Sequence, residues 1–182
     1  MIKQNLLLIV LAFTIMSFIQ NDGGWKEFKP LKGGCSVEMP GVPMVRSDKK
    51  NKDKPKDIKQ MVFFLEPPKG TDDNLVYGLS YTFFPAGTVH KDSLGIDNFF
   101  NQLKDEMLAG LHAKLLSEKD INYNSYPGKE YKVSIKNGEA VILFRNYLMQ
   151  DKYYTLQVCT PITNDNNIAI TKFFDSFKIL EK

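Results

Sequence analysis

The sequence predicts an α+β fold, one antiparallel sheet with helices packed on its faces. Three observations carry this. A run from Tyr131 to Thr160 alternates or saturates with strand-forming residues around two turn signals, and two stretches repeat apolar residues at three- and four-residue steps. The third is length: 182 residues with 43% hydrophobic and 25% charged content suit one domain with a single core, which needs neither a metal nor a disulfide to hold it.

Taken in order, the chain opens with Lys3, an uncharged apolar run from Leu6 to Ile19, and a polar exit at Gln20 to Gly24. A basic start, a short apolar middle and a polar end make residues 1–20 a secretory leader, followed by one domain over 25–182. The run is shorter than the roughly 20 residues a membrane-crossing helix needs. Ser17 to Gln20 lacks the small-x-small pattern of a cleavage site, so a leader retained as an anchor stays open beside a removed one. No cysteine ends the run, which excludes a lipid-attached protein. The expected location is secreted or periplasmic, with no stable membrane insertion once the leader is gone.

Cys35, Val37 and Met39 alternate with Ser36 and Glu38 up to Pro40, a short strand stopped by residues that cannot extend a ladder. Arg46 to Lys59 carries seven basic and three acidic residues and almost nothing apolar, as a surface loop does. Its charge could attract an acidic partner, but it lacks aromatic interleaving, and a solubilising loop is the simpler reading. Gln60–Leu65 and Asn74–Phe84, separated by Pro67 to Gly70, form a hairpin. Ile96, Phe99, Phe100, Leu103, Met107, Leu108, Leu111 and Leu115 then mark one amphipathic helix, capped by Asp92 or Ser93 and running to about Ser117.

Tyr131, Val133 and Ile135 alternate with Glu130, Lys132 and Ser134 before Asn137 and Gly138, the residues of a two-residue type I′ turn. Ala140–Met149 is apolar at both parities and so reads as a central strand covered on both faces. Lys152–Thr160 returns after Gln150 and Asp151 to complete a meander. Asn164 and Asp165 cap a second helix striped by Ile170, Phe173, Phe174 and Phe177.

Lys152–Pro161, followed by a helix that ends in Asp175, Ser176 and Phe177, resembles the C-terminal half of the PsbP-like family. Gly34–Pro40 is similar to that family's opening strand, with Cys35 where a phenylalanine is usual. Tyr126–Tyr131 resembles uncharacterised bacterial secreted proteins of the same pattern. The resemblance implies an α/β/α sandwich around an antiparallel sheet, and relatives that serve as extrinsic, non-catalytic subunits on other proteins. Fold likeness alone does not transfer function.

Chemistry-bearing patterns are sparse. Neither His90 nor His112 stands in an HxH or HExxH spacing, so no metal is expected; His112, beside the apolar stripe, reads as a boundary residue that caps or hydrogen-bonds. No serine has the glycine-flanked elbow of an acyl-transfer nucleophile, and no glycine loop cradles a phosphate. Asp72 and Asp73, the adjacent carboxylates, read as a turn. No cofactor is expected, and a net charge of +3 excludes a strongly basic nucleic-acid binder.

The residue out of place is Arg145, inside the expected central strand. Two readings stand: with Tyr131 and Tyr147 it lines a cleft for an anion or peptide carboxylate, or it pairs structurally with Glu130 or Glu139. Export permits a disulfide between Cys35 and Cys159, although the two strands do not ensure a shared face. The expectation is a monomeric, exported, non-enzymatic binding or accessory module, with another envelope protein as a candidate partner. The alternative is an envelope hydrolase with a site assembled from dispersed residues.

Overall fold

Ala140–Met149 is apolar at both parities, and in the computed structural model it lies inside a sheet with both faces covered. The structure describes residues 24–46, 58–89 and 92–180. The leader at 1–20, most of the basic segment between Arg46 and Lys59, and His90 lie outside the described residues. In chain order the elements are β1 (Lys26–Phe28), β2 (Cys35–Met39), β3 (Met44–Arg46), β4 (Lys59–Leu65), β5 (Val76–Phe83) and α1 (Ser93–Leu111). They continue with β6 (Lys114–Tyr123), β7 (Tyr126–Ile135), β8 (Ala140–Met149), β9 (Lys152–Pro161), α2 (Ile168–Asp175) and β10 (Lys178–Ile179).

All strand pairs are antiparallel. A seven-stranded sheet has the order β3-β4-β5-β9-β8-β7-β6, and a second, three-stranded sheet has the order β1-β2-β10. The fold is α+β but sheet-dominated, with two sheets where the sequence suggested one. The expected strand at Cys35–Met39 forms, yet its partners come from Lys26–Phe28 and from the two residues Lys178 and Ile179. Strands that short carry no periodicity of their own.

Because alternate side chains leave a strand on opposite faces, the large sheet divides its chemistry by parity. Tyr154, Leu156 and Val158 of β9 join Tyr77, Leu79 and Tyr81 of β5 on one face, against Ile170, Phe173 and Phe174 of α2 and Cys35, Val37 and Met39 of β2. On the other face Met107 and Leu108 of α1 cover Tyr131, Val133, Ile142 and Phe144. Phe100 of α1 seals the helix's first half with Val89, Leu148 and Tyr153. Each of these large apolar side chains contributes roughly 1.5–3 kcal/mol when fully buried.

The N-cap of α1 is Asp92, which accepts from the Gly95 N–H at 2.7 Å. The helix stops at Leu111 rather than near Ser117, because His112 turns left-handed (φ 49°, ψ 43°) and its N–H bonds back to Leu108 and Ala109. His112 therefore caps, through its backbone. Leu115, which fits the helical stripe, lies instead on the edge strand β6 and still packs on Val133's cluster. A register shift between Leu115 and Ser117 breaks the alternation there, which is why this strand has no clear period-two signal.

The β7–β8 connection keeps the register expected of a turn centred on Asn137 and Gly138, with Ile135 opposite Ala140. It is a longer loop than a type I′ turn, however: Lys136, Asn137 and Gly138 all have positive φ (50°, 54° and 98°), and Glu139 N–H closes on the Lys136 carbonyl at 3.2 Å. The N-cap of α2 is Asn167, not Asn164 or Asp165. Its side chain accepts from Ile170 N–H and donates to Asn74 at 2.9 Å, while Asn74 donates to the Tyr77 hydroxyl at 2.7 Å. Asp72 accepts from the Asn74 N–H and from the Tyr77 hydroxyl, so the acidic pair is a turn that also anchors α2 to β5.

Gly128 of β7 has no room for a side chain: a Cβ would stand 2.4 Å from the Asn146 carbonyl oxygen and 2.7 Å from the Tyr147 ring. Gly110, on α1, has open space around it. Gly128→Ala should therefore destabilise by about 1–3 kcal/mol, whereas Gly110→Ala should stabilise by about 0.5–1 kcal/mol. Urea unfolding of both variants reads the two signs, and a neutral Gly128→Ala would contradict the β7–β8 contact.

Burial also sets a pH limit. It pushes the Cys35 thiol up to about 12 and raises the phenols of Tyr77, Tyr131, Tyr153 and Tyr154. These acids hold their protons more tightly folded than unfolded, so their contribution is full below the ordinary thiol value of 9.0 and is lost as pH rises toward 12. Stability measured against pH should be flat near neutrality and fall steadily above about 9. A plateau persisting to pH 12 would contradict the burial of these groups.

Candidate functional site

Arg145 stands opposite Glu130 in the β7–β8 ladder. Its Nε donates to Glu130 Oε2 at 2.8 Å and its Nη1 to Asp175 Oδ1, at the end of α2, at 2.7 Å. The guanidinium lies 4.9 Å over the Phe174 ring. Burial alone would lower its pKa, but the two carboxylates outweigh that and raise it. One row away, Lys132 pairs with Asp165 at 2.5 Å.

Tyr147 shares this face but is part of the core, stacked on Phe177 with ring centroids 5.6 Å apart and planes 4° apart. Tyr131 is opposite Phe144 and faces α1 on the other side of the sheet. The three candidates therefore do not line one cleft, and Arg145 has the geometry of a structural double ion pair. The signal was present in the sequence: a turn centred on Asn137 and Gly138 pairs Arg145 with Glu130, which puts the next residue, Tyr131, on the opposite face.

The two cysteines are both free thiols, so the possible bridge is not formed. Cys35 is buried among Val37, Met39 and Phe177 on the α2 side, and Cys159 packs with Val133 and Ile142 on the α1 side. The sheet stands between them. Among the described residues, no cluster of three or more His, Cys, Asp or Glu side chains gathers to hold a metal ion, and no helix is long and apolar enough to cross a membrane.

A groove with an aromatic and neutral polar lining lies beside α1. Helix α1 packs on residues of β7, β8 and β9 through Phe100, Met107 and Leu108. Leu103, Lys104 and Met107 of the helix and Tyr131, Phe144, Asn146, Tyr153 and Thr155 of the sheet line a groove of about 120 Å³. It adjoins a second hollow of about 250 Å³, which shares Met107, Phe144 and Thr155 and extends to Gln60, Ser80 and Gln157. The Tyr131 hydroxyl at the groove is fully buried and has no hydrogen-bond partner among the described residues. A buried, unsatisfied hydroxyl costs about 1–3 kcal/mol, so it is a group that a bound molecule would relieve. Asn146 is also buried, and its amide donates to the Lys129 carbonyl at 3.3 Å.

Sequence reasoning did not find this groove, because Asn146, Thr155 and Ser80 come from three strands and meet only through register. A larger cleft of about 460 Å³ opens at the far end, between Gly34, Phe83, Tyr126, Lys152 and Leu180. There the Lys152 ammonium donates to the Gly33 carbonyl at 2.9 Å and lies 4.7 Å from the centroid of the Phe83 ring, tying the small sheet to the large one.

The solved structure of cyanobacterial PsbP (CyanoP) from Synechocystis resembles this chain with a TM-score of 0.57 and 16% identity, over 85% of this chain and 92% of that one. The Ran-binding protein Mog1p of Saccharomyces cerevisiae (TM-score 0.46, 14% identity, 86% and 96% covered) and a protein of unknown function from Pseudomonas aeruginosa (0.42, 14%, 77% and 85%) show looser likeness. No protein-family model and no curated sequence matches the chain. At such identities the likeness is one of fold, and the fold is PsbP-like.

Two measurements check this geometry. A double-mutant cycle on Arg145→Met and Glu130→Gln should give a coupling of about 0.5–1 kcal/mol, modest because both side chains are partly exposed. A coupling near zero would remove the ion pair from the account. Alkylation of the unfolded, unreduced chain should add a group to each of the two cysteines, and an unmodified mass would contradict the free thiols.

Proposed function

We propose that this chain is a non-catalytic binding or accessory module of the cell envelope, exported by residues 1–20 and built as a PsbP-like α/β/α sandwich. The observation that carries the reading is the groove beside α1, where a fully buried hydroxyl, that of Tyr131, lacks a partner among the described residues. Its lining is aromatic, aliphatic and neutral polar, with Lys104 as the sole charged member among the described residues. Such walls recognise a ligand by shape and hydrogen bonding and supply no acid–base pair. The hydrolase alternative loses support from Arg145, whose guanidinium is engaged by Glu130 and Asp175 on the opposite face. Export rests on the leader pattern, and the extrinsic-subunit role on the family resemblance.

The test places a photoreactive benzoylphenylalanine at Gln60, on the groove's rim, or at Thr171, exposed on α2, in cells that export the protein. Mass analysis of the recovered chain should show an adduct from the groove position and none from α2. Adducts from neither position, or equally from both, would sink the proposal.

A further inference from the structure

We infer that the groove beside α1 takes a neutral sugar of one or two rings. This rests on the binding reading above and names its ligand class. Asn146 is opposite Thr155, and Thr155 is opposite Ser80, so three polar side chains from β8, β9 and β5 form one row across the sheet. The row points to the α1 face, since Asn146 and Thr155 line the groove together with Leu103 and Met107. In a sheet whose other face is packed with Tyr77, Leu79, Leu156 and Val158, a polar row beside the helix is not part of the apolar core.

Rings flank the row on both sides. Phe144 and Tyr131 belong to the next row along the strands in one direction, and Tyr153 to the next in the other. Gln157 extends the polar wall. Its side chain lies against Gly78, where a Cβ would meet Gln157 Cγ at 2.6 Å, so the glycine leaves the amide room beside Ser80.

Serine and threonine hydroxyls, and the amides of Asn146 and Gln157, each offer donor and acceptor capacity. A sugar hydroxyl does the same, while the C–H face of its ring packs on an aromatic wall. A charged ligand fits less well: among the described residues no carboxylate lines either hollow, and the Lys104 ammonium is held by Glu118 at 2.7 Å and Asn101 at 3.0 Å. The Tyr131 hydroxyl, closed off in this geometry and without a partner among the described residues, gains one from an incoming oxygen only as the groove wall shifts around it.

The experiment titrates the isotope-labelled chain separately with methyl glucoside, N-acetylglucosamine, and the corresponding disaccharides, to tens of millimolar, following backbone amide shifts. Saturable shifts at Ser80, Asn146, Thr155 and Gln157 are expected, with affinity weakened about five- to tenfold in the near-isosteric Tyr131→Phe. No saturable shift with any of these sugars, or shifts confined to residues outside the groove, would overturn the inference. Crosslinking from Gln60 separates the two failures. A groove adduct without sugar shifts removes the sugar and keeps a binding module, whereas loss of both removes the module as well.

Discussion

The ladder between β8 and β9, which runs without interruption from Ala140 opposite Pro161 to Met149 opposite Lys152, is the constraint on which the rest depends. A strand's side chains alternate with period two, so slipping this pairing by one residue would exchange the two faces. Tyr154, Leu156 and Val158 would then meet α1, and Thr155 and Gln157 would be driven into the apolar cluster under α2. The present register instead separates a tightly packed apolar face from one that carries a polar row in its middle. Both Arg145's ion pairs and Tyr131's isolated hydroxyl are consequences of which face each residue occupies.

Further contacts lock the register from outside the ladder. The Tyr154 hydroxyl donates to the Gly33 carbonyl at 2.7 Å, which holds the small sheet against β9 on the apolar face. At the opposite end of β5, Asn74 and Asn167 exchange side-chain hydrogen bonds and fix the start of α2. Asp175, at the end of α2, then meets Arg145. The apolar face is thus pinned at several points along its cover. On the α1 side the helix packs through Phe100, Met107 and Leu108, and the groove lies beside it.

How far the sequence could be read depended on whether a feature was local. The β7–β8–β9 meander was legible because its turns and alternation sit within one continuous stretch, and Asp92 was legible as a cap because it acts three residues away. Strand β6 was not, since Leu115 satisfies the helical stripe and the irregularity at Leu116 hides the strand's alternation. The partners of Cys35–Met39 were not legible either, because they are drawn from both ends of the described chain. Arg145's partner Glu130 was readable from the turn, while Asp175 arrives from a helix that only tertiary packing brings there. The groove was invisible for the same reason: its polar row exists only once three strands are in register.

Cross-strand nuclear Overhauser contacts test that register most directly. The account predicts backbone contacts joining Asn146 to Thr155 and Thr155 to Ser80, together with side-chain contacts from Phe144 to Met107. Contacts that pair Asn146 with Leu156 or Tyr154 instead would show a slipped ladder, and the two-faced sheet with its groove would be contradicted.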